Sequence, residues 1–259
     1  MGVSLNLLVW GGPFPTNRAK VWEEQGHRVV HLPSPEADPG TEDPISGRYE
    51  TPDLVMVTDW EDGPDPGGRC RKLAALRVGA VLLHAVARPL AEYGRELHLK
   101  ELAGAGEGQG ETGVPSLWAA WNAWPDALDT PLWELALSRE EHRAAFDNLA
   151  QQMLQQFVFC PDTGGMISPR ILASVINEAY HTIDQGIASR QDIDLGMRYG
   201  TNYPFGPLEW SDRIGPVRLL RALDAWQRSD TTGDRYRAAT SLREAAAQTT
   251  ATTAPHSSS

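Results

Sequence analysis

The sequence is poor in the features that mark secreted, metal-binding and membrane-spanning proteins. It has two cysteines, Cys70 and Cys160, which could pair only if folding brought them together, so reduced thiols in a reducing compartment are the simpler interpretation. No cysteine–histidine spacing is typical of a metal site. No apolar run approaches the roughly 20 residues of a membrane-spanning helix, and the N-terminus does not resemble a signal peptide. We therefore expect a cytoplasmic protein without a metal ion or a membrane contact.

Basic residues are also scarce. The chain has 23 lysines and arginines against 34 aspartates and glutamates, and its net charge is −11. A general nucleic-acid binder needs a basic face that neutralises phosphates, so we expect no nucleic-acid partner. A local basic cluster could still bind a small anion. The 259 residues, 41% of them apolar, suffice for one large domain or two smaller ones.

The first half of the chain alternates between strands and helices. Residues 5–9 are a short apolar run that ends in a glycine pair, residues 16–25 are helical in character, and residues 27–32 are a second strand candidate. This order predicts a parallel βαβ unit. Further strands are predicted at residues 53–58 and 80–83, with a helix at 70–78. Residues 34–51 are predicted to be a loop, and the glycine-rich residues 104–113 a linker.

The second half is predicted to be mainly helical. Residues 132–157 have mostly helical character, residues 157–159 a last strand, and everything from Pro169 onward reads as helices. The sequence therefore predicts an α/β domain with a mostly parallel sheet at residues 1–162. An all-α domain at 163–247 and a disordered tail at 248–259 follow.

Residues 164–215 carry clear helix boundaries. Pro169 suits a first helical turn, and an amphipathic stripe follows it from Ile171 to Ile183. Ser189 and Asp192 have the spacing of a capping box. The predicted helix ends and breaks are at Gly186, Gly200, Gly206-Pro207 and Gly215-Pro216.

The same segment contains an ordered series of motifs. These are NEA at 177–179, GIAS at 186–189, DID at 192–194 and GPLE at 206–209, followed by Asp212 and Gly215. The series resembles the C-terminal helical domain of the 3-hydroxyacyl-CoA dehydrogenase family, which has "NEA", "G-x-A-S-x-x-D-I-D", "G-P-F-E" and "D-x-x-G" in this order. The resemblance implies oxidation of a 3-hydroxyacyl-CoA with NAD in fatty-acid metabolism. It also implies a reduced Rossmann-like N-terminal domain and a homodimer formed through the C-terminal helices.

The family's catalytic groups can be followed onto this chain. By the resemblance, Asn122 is the counterpart of a substrate-binding asparagine, and Glu134 of the glutamate that supports the catalytic histidine. The histidine itself falls on Ala119, which cannot accept a proton. Another family asparagine falls on Pro169, and the family serine falls near Ala85 or Val86. His84, at the end of a predicted strand, is a candidate replacement base, although such a histidine is more often a packing residue.

The cofactor motif is incomplete as well. Gly11 and Gly12 follow the first strand, where the resemblance implies a dinucleotide site. Counted from Gly11, the third and sixth positions of G-x-G-x-x-G are Pro13 and Thr16, and Pro13 lacks an N–H donor. Gly11 and Gly12 are therefore either cofactor-binding residues or a structural turn, and the second interpretation is favoured.

Two further questions stay open from the sequence. The tryptophans at 118, 121, 124 and 133 could line an acyl or adenine pocket, or they could fill core volume. The protein could be an NAD-dependent dehydrogenase, a catalytically silent homodimer that binds an acyl-CoA or a partner protein, or a purely structural dimer.

Overall fold

A computed structural model describes residues 4–12, 16–33, 51–59, 61, 73, 78–96, 117–125, 127–231 and 233–253. It divides into two compact units, Met1–Met166 and Ile167–Ser259. The predicted loop at 34–51 and linker at 104–113, and most of the predicted helix at 70–78, lie outside the described residues.

The first unit is built on a seven-stranded sheet with the order β2-β1-β3-β4-β5-β6-β7. The strands are β1 (Asn6–Gly11), β2 (Arg28–Pro33), β3 (Leu54–Val57), β4 (Ala80–His84), β5 (Leu117–Trp121), β6 (Leu132–Leu137) and β7 (Gln156–Cys160). Its helices are α1 (Thr16–Glu24), α2 (Leu90–Glu96) and α3 (Arg143–Gln152), with a 3₁₀ turn at Glu140–His142. Strands β1 to β5 are parallel, β6 is antiparallel to β5, and β7 is parallel to β6. The predicted βαβ opening and the mostly parallel sheet are confirmed.

Apolar side chains alternate between the two faces of this sheet. On the first face, Leu83 and Trp118 pack with Leu90 and Tyr93 of α2. On the second face, Leu82 and Trp121 pack in one cluster with Trp22 of α1 and Phe146 of α3. Both faces are covered, as a mostly parallel sheet requires.

The prediction of a mostly helical segment at 132–157 is wrong for its first part. Leu132–Leu137 is strand β6, which pairs with β5 on one side and β7 on the other. Trp133, Leu135 and Leu137 all point into the second face, so the segment follows a period of two. Tertiary pairing has overridden the helix propensity of its leucine, alanine and glutamate residues.

The second unit is helical, as predicted. Its helices are α4 (Ser168–Asp184), α5 (Arg190–Thr201), α6 (Pro207–Ile214), α7 (Pro216–Ser229) and α8 (Thr240–Thr253). Ser189 caps α5 by accepting a hydrogen bond from the N–H of Asp192. Gly200, however, lies inside α5, and the left-handed residue that ends this helix is Asn202, with φ of 58°. Helix α8 extends to Thr253, so the predicted disordered tail does not begin at residue 248.

Three polar side chains of α4 attach the last helix and the segment before it. Asn177 bonds both the carbonyl of Arg237 and the N–H of Ala239. Asp184 accepts from the first N–H groups of α8, and Arg170 donates to the hydroxyl of Tyr236. No helix in the described part of the chain is long and apolar enough to span a membrane.

Candidate functional site

His84 ends strand β4 and is almost fully buried, with 2% of its surface exposed. Its Nδ1 accepts a hydrogen bond of 3.1 Å from the backbone N–H of Ala123. Residues two apart in a strand point to the same face, and Leu82 packs on the second face. The His84 side chain therefore lies on the second face as well. The imidazole therefore holds the loop that follows β5, and its Nδ1 is already occupied as an acceptor.

Glu134 lies on the other side of the sheet, and Asn122 directly follows strand β5. Glu134 alternates with Trp133 and Leu135, which belong to the second face, so Glu134 points to the first face. Asn122 is buried, and its Oδ1 accepts from the N–H of Trp124 at 3.0 Å. Because Glu134 and His84 project from opposite faces, the two predicted catalytic residues cannot act on one substrate atom.

Ala119, to which the sequence resemblance assigns the family histidine, lies inside the core. Ala119 is completely buried and pairs with Leu82 and Leu137 in the middle of the sheet. Its side chain belongs to the second apolar cluster. Besides lacking a titratable group, this position is therefore inaccessible to a substrate.

The turn at Gly11 and Gly12 is crowded by polar side chains. Gly11 has φ of +131°, and a Cβ built there would lie 2.4 Å from Oδ1 of Asp59 and 2.7 Å from Oγ1 of Thr58. The Gly12 carbonyl contacts Nε2 of His31 at 3.1 Å and accepts from the Thr58 hydroxyl at 3.5 Å.

The geometry of this turn can be compared with what the pyrophosphate of a dinucleotide needs. A pyrophosphate needs free N–H groups and close approach to the first glycine. Here the space beside Gly11 is filled, and the atom that fills it belongs to a carboxylate, which would repel a phosphate. The structural-turn interpretation of Gly11 and Gly12 therefore fits this geometry, whereas a pyrophosphate cradle does not.

Sequence reasoning missed the residues that organise this end of the sheet. Thr58 and Asp59 are both buried directly after β3, a position where parallel sheets commonly carry functional groups, so strand order alone could have drawn attention to them. It also missed Glu61, whose Oε1 accepts from the Ala87 N–H at 2.7 Å and the Tyr93 hydroxyl at 2.8 Å. Burial and the neighbouring Glu61 raise the pKa of Tyr93 well above its usual range.

A second polar group anchors the end of the first unit. The Asp162 carboxylate accepts from the N–H groups of Leu90 and Ala91 and so caps α2, while burial raises its pKa. Gly165 donates to the Val86 carbonyl at 2.6 Å. Cys160 is a free thiol whose pKa is raised to about 11, chiefly by burial.

The tryptophans of the candidate site fill the core. Trp118, Trp121, Trp124 and Trp133 expose 1%, 0%, 3% and 2% of their surface. Trp133 makes edge contacts with Trp121 and Trp22 at ring distances of 4.9 and 5.7 Å. Of the two alternatives, the structure supports core filling. No group of three potential metal ligands occurs among the residues that the structure describes.

Known proteins share both the helical motifs and the fold. Residues 165–255 match the family model of the 3-hydroxyacyl-CoA dehydrogenase C-terminal domain. The 3-hydroxyadipyl-CoA dehydrogenase of Escherichia coli is 42% identical over 96 residues, which are 37% of this chain and 20% of that protein. The mitochondrial hydroxyacyl-coenzyme A dehydrogenase of Homo sapiens is 34% identical over 91 residues, 35% of this chain and 29% of that protein.

The similarity of structure extends further than that of sequence. The crystal structure of (S)-3-hydroxybutyryl-CoA dehydrogenase from Ralstonia eutropha superposes with a TM-score of 0.65 at 17% identity, covering 95% of each chain. The sequence matches cover less than a third of the two curated relatives. The helical unit thus matches the C-terminal domain of the 3-hydroxyacyl-CoA dehydrogenase family, and the chain as a whole has the fold of the Ralstonia eutropha structure. This confirms the resemblance given by the motifs.

Proposed function

We propose that the chain is a 3-hydroxyacyl-CoA dehydrogenase-like protein that works as a cytoplasmic homodimer. Its ligand is an acyl-CoA-type thioester, and NAD-dependent hydride transfer is weak or lost. The observation that carries this proposal is the replacement of the family's base by Ala119, which is buried between Leu82 and Leu137. The same chain retains the helical domain, at residues 165–255, that matches the family model.

The loss of hydride transfer follows from what the remaining groups can do. General-base catalysis contributes typically about 10²–10⁴-fold to a rate. Glu134 and His84 lie on opposite faces of the sheet, and His84 already accepts a hydrogen bond at Nδ1. The carboxylate of Asp59 beside Gly11 further disfavours the pyrophosphate of NAD.

The homodimer follows from the surface of the helical unit. Helix α5 has an amphipathic sequence, yet it has no buried residue. The large exposed apolar side chains of this unit are Ile167, Ile171, Ile187, Leu195 and Tyr199, and Tyr199 exposes 83% of its surface. A second copy would cover them, and a two-fold interface is the commonest closed arrangement.

A titration of the purified protein with NADH and with acetoacetyl-CoA tests the ligand, followed by absorbance and tryptophan fluorescence. We expect saturable quenching by acetoacetyl-CoA, weak or no response to NADH, and negligible turnover of 3-hydroxybutyryl-CoA. No response to acetoacetyl-CoA would contradict the ligand assignment and favour a partner-binding dimer. Efficient turnover would contradict the loss of chemistry.

Light scattering at micromolar concentration tests the helical dimer. We expect Tyr199→Glu to halve the mass, because it places a charge in the apolar contact. The matched control is Val21→Glu, at an exposed apolar residue of the first unit. A mass that Tyr199→Glu leaves unchanged would refute a contact through α5.

A further inference from the structure

The two edges of the sheet differ in how well they are protected. Edge strand β2 carries Arg28 and ends at Pro33, and charge and proline both discourage pairing with another chain. Edge strand β7 has the sequence QFVFC, without charge or proline. Within the described residues β7 has a strand partner on one side only. No other described strand pairs with its second side.

The side chains of β7 are arranged symmetrically about Val158. Phe157 and Phe159 both pack against the second face, and Val158 lies between them on the first. An antiparallel copy centred on Val158 would place each phenylalanine opposite the partner's other phenylalanine. Cross-strand aromatic pairs of this kind stabilise sheets.

We propose that β7 pairs with β7 of a second copy of this chain, antiparallel and about a two-fold axis at Val158. The two sheets then form one continuous sheet. Gln156 of one copy lies opposite Cys160 of the other. This interface lies in the first unit and does not rest on the helical dimer proposed above.

Helix α3 carries charges of both signs near β7 that a second copy can complement, and Arg143 also pairs with Glu140 of its own copy. The Arg143 guanidinium lies 4.4 Å from the ring centre of Phe159. Asp147, one turn later, lines a groove together with Phe157. Since the two-fold axis brings Phe159 opposite the partner's Phe157, it also brings Arg143 towards the partner's Asp147. Two such ion pairs form per interface.

The groove beside β7 adds apolar surface to the same edge. It has a volume of about 830 Å³. Leu132 and Leu154 line it and expose 42% and 70% of their surface. Gln155, also in its lining, is buried, and its Oε1 has no hydrogen-bond partner. These residues flank the strand whose edge is open.

A disulfide trap tests the register directly. Residues directly opposite in antiparallel strands have Cα atoms about 4.5–5.5 Å apart, within the range that a disulfide spans. In a Cys70→Ser background, Gln156→Cys should oxidise to a covalent dimer through Cys160 of the other copy. Its mass on a non-reducing gel should be twice 28.4 kDa. The control Val21→Cys, at an exposed residue of α1 in the first unit, should stay monomeric on the same gel.

Two sets of variants test the interface in solution. Val158→Lys places two lysines opposite each other at the axis, while within one copy the new ammonium lies beside its strand neighbour Glu134. We expect it to halve the native mass, whereas Val21→Lys leaves the mass unchanged. Arg143→Asp and Asp147→Arg should each weaken the association, and the double exchange should restore it.

The outcomes separate this interface from the helical one. If both interfaces form, the assembly of the unchanged protein is larger than the helical homodimer, Val158→Lys and Tyr199→Glu each reduce its mass, and together they give a monomer. If the helical dimer is absent, Val158→Lys alone gives the monomer. Absence of a covalent dimer from Gln156→Cys, or a native mass unaffected by Val158→Lys, would overturn the β7 pairing.

Discussion

The N–H of Ala123 donates a hydrogen bond of 3.1 Å to Nδ1 of His84, so the last residue of β4 holds the loop that follows β5. A backbone donor requires an unprotonated Nδ1, which places the proton of the neutral ring on Nε2. This relationship gives His84 a structural role that its place at a strand end does not reveal.

We therefore expect His84→Ala to lower the free energy of unfolding by about 1–3 kcal/mol, because it leaves a buried N–H group without its acceptor. His84→Asn keeps an acceptor near the position of Nδ1 and should recover most of this loss. Denaturant unfolding measures both effects. If His84→Ala instead keeps full stability and abolishes a measurable dehydrogenase activity, His84 is the base after all.

Gly11 and Gly12 are neighbours in the same turn, but they should respond very differently to substitution. Gly11→Ala places a methyl group 2.4 Å from Oδ1 of Asp59 in a backbone conformation that favours glycine, with φ of +131°. We expect a loss of about 2–4 kcal/mol, as for other strained and overpacked sites.

Gly12→Ala is the matched control. A Cβ at Gly12 has no neighbour within 4 Å, so the expected change stays within about 0.5 kcal/mol. Thermal unfolding of both variants makes the comparison. Equal stability of the two variants would show that the space beside Gly11 is not filled as described.

The sequence predicts the parallel part of the fold well because its signals are local. Residues 5–9, 27–32, 53–58 and 80–83 are apolar runs bounded by turn residues, and all four are strands. Strand β6 was missed because Leu132, Leu135 and Ala136 also suit a helix. Only the pairing with β5 and β7 decides between the two.

The site was harder to predict than the fold. The resemblance makes Glu134 a counterpart of the family glutamate and His84 a candidate base, but it does not say which face of the sheet each side chain takes. That depends on strand register, and a shift of one residue reverses it. Asp59 was missed for a related reason, since its contact with Gly11 joins positions 48 residues apart.

Cys160 should react slowly with alkylating reagents. Burial raises the pKa of its thiol to about 11, whereas an unfolded cysteine titrates near 8.5. In a Cys70→Ser background at pH 8.5, iodoacetamide should alkylate Cys160 more than about 100-fold more slowly in the folded protein than in the unfolded chain, because only the thiolate reacts.

The sign of the pH dependence follows from the same shift. A raised pKa in the folded state stabilises the protein below about pH 8.5, and this contribution is lost as the pH rises towards 11. In a Cys70→Ser background, the free energy of unfolding is measured against pH with Cys160 present and with Cys160→Ser. The difference between the two curves isolates the contribution of this thiol. Fast alkylation of Cys160 in the folded protein at pH 8.5 would contradict the raised pKa of this thiol.

Asn177 should control the attachment of the last helix. It is buried in α4, and its amide donates to the Arg237 carbonyl and accepts from the Ala239 N–H, both at 3.0 Å. Asn177→Ala leaves both backbone groups unsatisfied, so we expect a loss of about 2–4 kcal/mol. Asn177→Asp can still accept from Ala239, but it faces the Arg237 carbonyl with a carboxylate and should recover little.

Hydrogen exchange locates this effect in the chain. Amides of α8, Thr240–Thr253, should lose protection in Asn177→Ala before those of α6 or α7, since the lost bonds hold the segment that leads into α8. Glu178→Ala, at the exposed neighbouring position of the same helix, should leave the exchange pattern unchanged. Uniform loss of protection across all five helices would instead mean that Asn177 supports the whole unit rather than the docking of α8.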